Sequence, residues 1–426
     1  MLDIKFIREN PDLVKAAVIN KKAKVDVDQL LKLDEHRRGL IGKIEELNRE
    51  KNVAAKEKDI AKGKQIKDAL LGLDAEFKDA DAKFFEAMYA VPNIPSGHTP
   101  VGPDESGNRV IKQVGQPPKF GFEPKEHWQL GEQLGIIDIE TATKVTGSRF
   151  AYLKGDLALL QFAIIQFLMQ ALTSEQHLGE IIKHAGLKVS AKPFVPVLPP
   201  VMIKPEIMQR MGRLEPRDER YYIASDDLYL IGSAEHTLGP MHMDQAISEE
   251  QLPLRYIGYS TAFRREAGSY GKDMKGILRV HQFDKLEMES FTAPELSEQE
   301  QLLMVAVQEY LMGALELPYQ VVEICTGDMG APDYRQIDIE TWMPGQNKYR
   351  ETHTADLMTD FQSRRLNIKV KRADGKSELL HMNDATASAG RTMIAIMENY
   401  QQADGSIKVP KALLPYMFGI TEIKKR

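Results

Sequence analysis

Between residues 27 and 89 the apolar positions fall in alternating three- and four-residue steps. The first half carries Leu30, Leu33, Leu40, Ile44, Leu47 and Ala54, with Arg37 and Lys51 in the skipped slots; the second carries Ile66, Leu70, Leu73, Phe77, Ala80, Phe84 and Ala87. A seam of that period predicts two helices packed on each other as a coiled coil. Gly63, in "AKGKQ", is the expected turn. Helices of roughly 30 and 25 residues would then form an arm about 40 Å long. The proline- and glycine-rich stretch "VPNIPSGHTPVGPDESGNR" ends the helical pattern and marks a boundary near residues 92–108. This divides the chain into an N-terminal domain, residues 1–100, and a body, residues 108–426. In the body a long apolar helical run, "DLALLQFAIIQFLMQALTSEQHLGEIIKHAG", is followed by alternating strand patterns clustered between about residues 220 and 380. The order predicts an α+β fold with a largely antiparallel sheet flanked by helices.

Two of those strand patterns, "LRYIGYSTAF" and "ILRVHQFDKLEME", flank "EAGSYGKDMKG", whose three glycines read as a loop. Residues two apart share one face of a strand. Arg264 and Glu266 should therefore look the same way, as should Arg279, Phe283 and Glu287. If the strands pair, cations, carboxylates and an aromatic ring converge on one wall. That wall suits a ligand with phosphate, a flat base and an ammonium group.

Charge sharpens the picture of the arm. The chain of 426 residues carries a net charge of -6, which argues against a protein that coats nucleic acid. Yet from Arg49 to Lys67 seven basic residues (Arg49, Lys51, Lys56, Lys58, Lys62, Lys64, Lys67) stand against three acids, a balance of +4. From residue 68 to 90 the balance is -4. A basic tip on a projecting arm suits a phosphate backbone, although charge runs also serve as plain solvated faces. The single cysteine, Cys325, excludes a disulfide framework and a zinc site built on several thiolates, so no zinc is expected. No apolar run approaches the roughly 20 residues of a membrane span, and "MLDIKFIRENPDLVK" has no signal-like core. The expected setting is the cytoplasm, with no membrane partner.

Three further segments carry candidate chemistry. In "LYLIGSAEHTLGPMH" a strand runs into Ser233 and Glu235, which could receive an ammonium group or cap a helix. In "YRETHTADLM" Glu351 and Thr354 offer hard oxygens that suit Mg²⁺. "NDATASAGRTMIAIMENYQ" reads as a loop entering a helix, with Arg391 in its first turn able to reach an anion. There is no P-loop, no GxGxxG after a first strand and no HExxH.

Taken together, the segments resemble bacterial-type seryl-tRNA synthetases, which are class II aminoacyl-tRNA synthetases. The resemblance covers nearly the whole chain: "MLDIKFIRENPDLVK", the arm, "VPNIP…TPVG", and the three class II motifs. The first of these is the helix–strand segment ending at Pro200, the second is "FRREAGSYGKDMKGILRVHQFDKLE", and the third is "GRTMIAIMENYQ" with "VPKALLPYM" after it. The resemblance implies an enzyme that activates L-serine with ATP and Mg²⁺ and transfers it to tRNA(Ser), with tRNA(Sec) a further acceptor. It implies a homodimer joined through the first motif. The arm would grip the tRNA through Arg49, Lys51, Lys56, Lys58, Lys62 and Lys64.

Carried onto this sequence, Arg264 would clamp the α-phosphate and the amino-acid carboxylate. Glu266 would accept from the adenine amino group, and Phe283 and Arg391 would sandwich the ring, with Arg279 on the same wall. Glu351 and Thr354 would hold the metal. Glu287, with Ser233 and Glu235, would receive the serine ammonium and hydroxyl groups. Arg264, Glu287 and Arg391 would carry the chemistry. The last loop departs from the family pattern: "NDATAS" stands where "NGSGLA" or "NNTALA" is usual. Counting back from Arg391 places Ala385 where a hydroxyl is expected and Thr386 one position late, with Asn383 retained. Thr386 is the expected replacement, with Asp384 turned away. Asp356 adds a carboxylate expected near the metal. Two other readings stay open on the sequence: a paralogous ligase with altered amino-acid specificity, and a non-catalytic tRNA-binding relative. The arm argues against the first, and Arg264, Glu351 and Arg391 against the second.

Overall fold

The computed structural model describes residues 1–267, 273 and 275–425. Gly268 and Gly271, two of the three glycines behind the loop reading, lie outside the described residues. The chain divides into two compact units, Met1–Ile94 and Pro95–Arg426.

The first unit is dominated by helices α1, Val27–Glu57, and α2, Ile60–Ala90, of 31 residues each. Each is about 46 Å long at 1.5 Å per residue. The turn between them is tighter and earlier than expected. Lys58 closes α1 in a left-handed conformation, φ 59°, and the Asp59 side chain caps α2 by accepting from the Lys62 amide. Gly63 lies within the first turn of α2, because a good N-cap residue fixes a helix start more firmly than a nearby glycine breaks one. The seam is buried at Leu30, Leu40, Ala54, Ile66, Leu70, Ala80 and Phe84, and Met88 rather than Ala87 completes it. Arg37, in a skipped slot, lies 5.0 to 5.7 Å from the ring centroids of Phe77, Phe84 and Phe85. It also pairs with Asp81 at 2.5 Å, so one cation replaces an apolar knob.

The second unit is built on an eight-stranded sheet. Its strands are β1 Arg109–Val114, β2 Val195–Val197, β3 Leu254–Phe263, β4 Gln282–Thr292, β5 Tyr319–Glu323, β6 Arg335–Met343, β7 Lys348–Thr359 and β8 His381–Ala389. The spatial order is β1-β5-β6-β7-β8-β4-β3-β2. All neighbours are antiparallel except β2, which runs parallel to β3 at the edge. In the segment expected to be a loop entering a helix, the helix forms from Gly390 as expected, but the loop before it is strand β8. It carries small and polar residues, and nearly every one is buried, so it shows no apolar–polar alternation.

The long apolar run forms two helices, α3 Asp156–Leu172 and α4 Glu175–Ala185, bent by 83° at the break. Ser174 ends the first run by capping α4 through the His177 amide. No single helix among the described residues is long and apolar enough to cross a membrane.

Helices α5, Ser297–Ala314, and α6, Gly390–Asn399, contribute to the main core with α3, α4 and the sheet's inner face. Two buried glutamines of α5 reach the sheet backbone. Gln301 donates to the carbonyls of Arg335 and Ala355, at 2.9 and 3.0 Å. Gln308 donates to those of Thr354 and Thr386, both at 2.9 Å. Buried carbonyls need hydrogen-bond partners, and these glutamines hold two candidate site residues from behind.

Candidate active site

The opposite face of the sheet floors a cleft of about 460 Å³. Strand β4 contributes Phe283, Lys285 and Glu287, which line it at alternate positions of one strand face. Gly258 on β3 lies directly across from Glu287. A Cβ there would come within 2.6 Å of Leu238 Cδ1. Its absence lets the short helix Glu235–Leu238 settle on the sheet, which brings Ser233 over Glu287. The Ser233 hydroxyl donates to Glu287 Oε2 at 2.8 Å, and the Lys285 ammonium lies 2.5 Å from the same oxygen. Glu287 is 1% exposed, so its charge is held by two donors and keeps one oxygen for a further cation.

Around the other end of the cleft, strand β3 stops at Phe263. Arg264 and Glu266 therefore lie beyond the strand, and the shared direction expected from a two-residue repeat does not apply; Glu266 has φ 53°. The Arg264 Nε donates to the Gly232 carbonyl at 3.1 Å, and its guanidinium sits 5.5 Å from the Phe283 ring centroid. The Arg264 carbonyl accepts from His281 Nδ1 at 2.9 Å, which gives His281 a structural role. Arg279, also outside the strand, pairs with Glu266 at 2.9 Å.

Arg391, in the first turn of α6, lies 3.0 Å from the Glu351 carboxylate and 2.9 Å from its carbonyl. Desolvation works against the charge on Glu351, but Arg391, Arg264 and Lys285 outweigh it and hold the carboxyl below its usual range. Thr354 faces Asp338 across β6 and β7. Burial, then the nearby Glu351, pushes Asp338 well up, while a hydrogen bond with Thr354 works the other way. The Thr354 hydroxyl thus shares a hydrogen bond with Asp338 and keeps a lone pair for a cation. Two oxygens and open space around them fit Mg²⁺, which keeps water and phosphate oxygens in its shell. Among the described residues no group of three or more His, Cys, Asp or Glu is arranged to hold a metal.

The amino-acid end differs most from the sequence reading. Strand β8 carries one extra residue, Ala387, between Ser388 opposite Leu286 and Thr386 opposite Glu287. Such a bulge re-aims the residues beside it, and Thr386 comes onto the cleft face. Ala385 lies opposite Met288, on the other face within the main core. Asn383, two residues away and opposite Ser290, shares that inward direction. Both were expected at the substrate, and strand geometry turns both away from the cleft. Asp384, expected to turn away, instead lines the cleft. Asp356 does not join Glu351; it lies across from Asp384.

A cation that the sequence reading missed explains the change. Arg213 Nε pairs with Glu235 at 2.8 Å, and its Nη2 lies 3.5, 3.7 and 3.8 Å from Asp384, Asp356 and Asp333. Gln362 adds a hydrogen bond to Glu235 at 2.9 Å. Burial opposes the charge of Glu235, but Arg213 draws its pKa down to about 2. Its carboxylate is therefore committed to the protein. Arg220 also lines the cleft; burial, then Arg264 and Arg213, lower its guanidinium to about 10. Arg213 and Arg220 stand in the polar, aperiodic segment "RLEPRDER", where no pattern announces a site.

In the other unit, Arg49, Lys51, Lys56, Lys58, Lys62 and Lys64 are all exposed on either side of the Lys58–Asp59 turn.

Residues 1–95 match the family model described as the seryl-tRNA synthetase N-terminal domain. Residues 221–400 match that of the class II tRNA synthetase core domain (G, H, P, S and T). A serine–tRNA ligase of Symbiobacterium thermophilum is 40% identical over 430 residues, covering 98% of each chain. One of Fusobacterium nucleatum is 41% identical over 438 residues, covering 100% of each. A crystal structure of seryl-tRNA synthetase from Pyrococcus horikoshii complexed with ATP superposes over 100% of both chains, with a TM-score of 0.88 and 36% identity.

Proposed function

The chain belongs to the seryl-tRNA synthetase family of class II enzymes, and on that premise we propose how its own side chains divide the two steps of a serine–tRNA ligase. L-serine and ATP form seryl-adenylate and pyrophosphate; the serine then passes to the 3′ end of tRNA(Ser). The observation that carries the assignment of roles is the placement of Arg264 in the cleft, with the aromatic wall at Phe283 and the buried Glu287 lining the same space.

Arg264 binds the α-phosphate and the serine carboxylate, a two-pronged task that suits a guanidinium fork. Phe283 stacks on adenine, and Arg391 covers the other face and reaches the γ-phosphate. Glu266, held by Arg279, accepts from the adenine amino group. Glu351 and Thr354 hold Mg²⁺, which when bound neutralises phosphate charge. Glu287 and Ser233 receive the serine ammonium; Glu235, tied to Arg213, supports the pocket without binding substrate. The serine carboxylate attacks the α-phosphorus in line and pyrophosphate leaves, so positioning and charge stabilisation suffice without a protein nucleophile.

Thr386, beside Glu287, binds the serine hydroxyl. Thr386→Val lowers serine-dependent ATP–pyrophosphate exchange by about 10- to 100-fold, the effect of one missing hydrogen bond with its partner left unpaired. Alanine-dependent exchange changes little. An unchanged serine-to-alanine ratio would remove Thr386 from the site.

The basic tip of the arm binds the tRNA phosphates. Replacing Lys56, Lys58, Lys62 and Lys64 together by glutamine should reduce the slope of log affinity for tRNA(Ser) against log salt by about 3, near one for each phosphate that is no longer neutralised. An unchanged slope would show that the tip is only a solvated face. We also place the enzyme in the cytoplasm, as a homodimer. Support for the dimer comes from Val195 and Leu198, which are 52% and 80% exposed on and beside the sheet-edge strand β2.

A further inference from the structure

Three carboxylates stand in one row across the sheet: Glu289 on β4 faces Asp384 on β8, which faces Asp356 on β7. The row lies two residues further along the strands than Glu287 and Thr386, or about 7 Å at 3.4 Å per residue. Asp384 and Asp356 line the cleft. The buried polar atoms without a hydrogen-bond partner include both oxygens of Glu289 and Oδ1 of Asp356. Glu289 is 0% exposed and Asp356 7%. The cation beside them, Arg213, is already bound to Glu235 through Nε, and its Nη2 is 3.5 Å from Asp384 and 3.7 Å from Asp356. One distant guanidinium edge cannot satisfy three buried carboxyl groups. Burial first, then their acidic neighbours, push Glu289 and Asp384 well above the usual carboxylate range. A bound cation would relieve that repulsion.

Resting on the reading of Glu287 as receptor of the α-ammonium, we propose that this row is a second ammonium subsite, so that the cleft also takes short-chain α-amino acids bearing an ammonium at the end of the side chain. Such a molecule keeps serine's α-ammonium and carboxylate contacts, and its side chain runs past Thr386 toward Asp384 and Asp356. The chemistry is the same as for serine. A carboxylate oxygen bonds to the α-phosphorus, the bond from that phosphorus to the bridging oxygen breaks, and pyrophosphate departs.

The test is ATP–pyrophosphate exchange by the full-length enzyme with L-serine, L-alanine, L-2,3-diaminopropionate, L-2,4-diaminobutyrate and L-ornithine. At least one diamino acid should exceed alanine by about 10- to 100-fold, the worth of a charged hydrogen bond. Glu289→Gln and Asp384→Asn should each lower that exchange about tenfold more than they lower serine exchange. Exchange with serine but with no diamino acid above alanine would overturn the subsite and leave the adenylation reading standing. Loss of serine exchange in the wild type would instead overturn that reading. Diamino-acid exchange indifferent to both substitutions would also overturn the subsite. If the variants fail to fold, competition against serine exchange in the wild type decides: L-2,4-diaminobutyrate should inhibit more strongly than its uncharged isostere L-norvaline, and equal or weaker inhibition would refute the proposal.

Discussion

Arg264→Ala should abolish adenylate formation, with serine-dependent ATP–pyrophosphate exchange falling by about a thousandfold or more. Removing one preorganised donor to a developing charge costs on the order of 10²–10³ in rate, and Arg264 is assigned two partners, the α-phosphate and the serine carboxylate. Lysine should rescue poorly, because a single ammonium cannot reproduce a planar fork. The fold should survive. Among the described residues the Arg264 side chain donates to a carbonyl, that of Gly232, and its ring partner Phe283 is held within β4. An unchanged thermal transition together with abolished exchange is the expected pair of results. Near-normal exchange in the alanine variant would remove Arg264 from the catalytic role.

Deleting Val27–Tyr89 and bridging the ends with a short linker should leave serine activation largely intact while removing tRNA charging. Every residue assigned to ATP and serine lies in the unit Pro95–Arg426, and the deleted helices lie in Met1–Ile94. The exposed cations at the tip are the groups proposed to supply the salt-dependent attraction to phosphate on which nucleic-acid affinity mostly rests. Pyrophosphate exchange and serylation of tRNA(Ser), measured on the same preparation, separate the two steps. A truncated enzyme that charges tRNA as well as the full chain would reduce the arm to a spacer.

Much of this was legible in the sequence because local rules agreed with the fold. The three-four repeat found the arm, since most of its seam positions are buried. It missed the turn, because Gly63 looked like the stronger signal than a left-handed Lys58 followed by the Asp59 cap. The same kind of signal, Ser174, split the apolar run into α3 and α4. Strand alternation found Phe283 and Glu287, which do lie on one strand, but it extended that strand back to Arg279 and the preceding one on to Glu266.

The amino-acid end was least legible. Strand β8 is buried on both faces, so its pattern looked like a loop, and a one-residue bulge at Ala387 decided which residues met the cleft. Counting along the sequence could not distinguish Ala385 from Thr386; the pairing of Thr386 with Glu287 does. Asp384 looked unfavourable on the cleft face because the cation beside it, Arg213, comes from a segment some 170 residues earlier in the chain and carries no periodic signal.

The assignment of the chain as a serine–tRNA ligase is tested most directly by ATP-dependent attachment of labelled L-serine to a tRNA(Ser) transcript, with the purified full-length protein. The account predicts serine esterified at the 3′-terminal adenosine, dependent on ATP and Mg²⁺ and abolished by Arg264→Ala. A folded wild-type protein that attaches no serine under these conditions would contradict it.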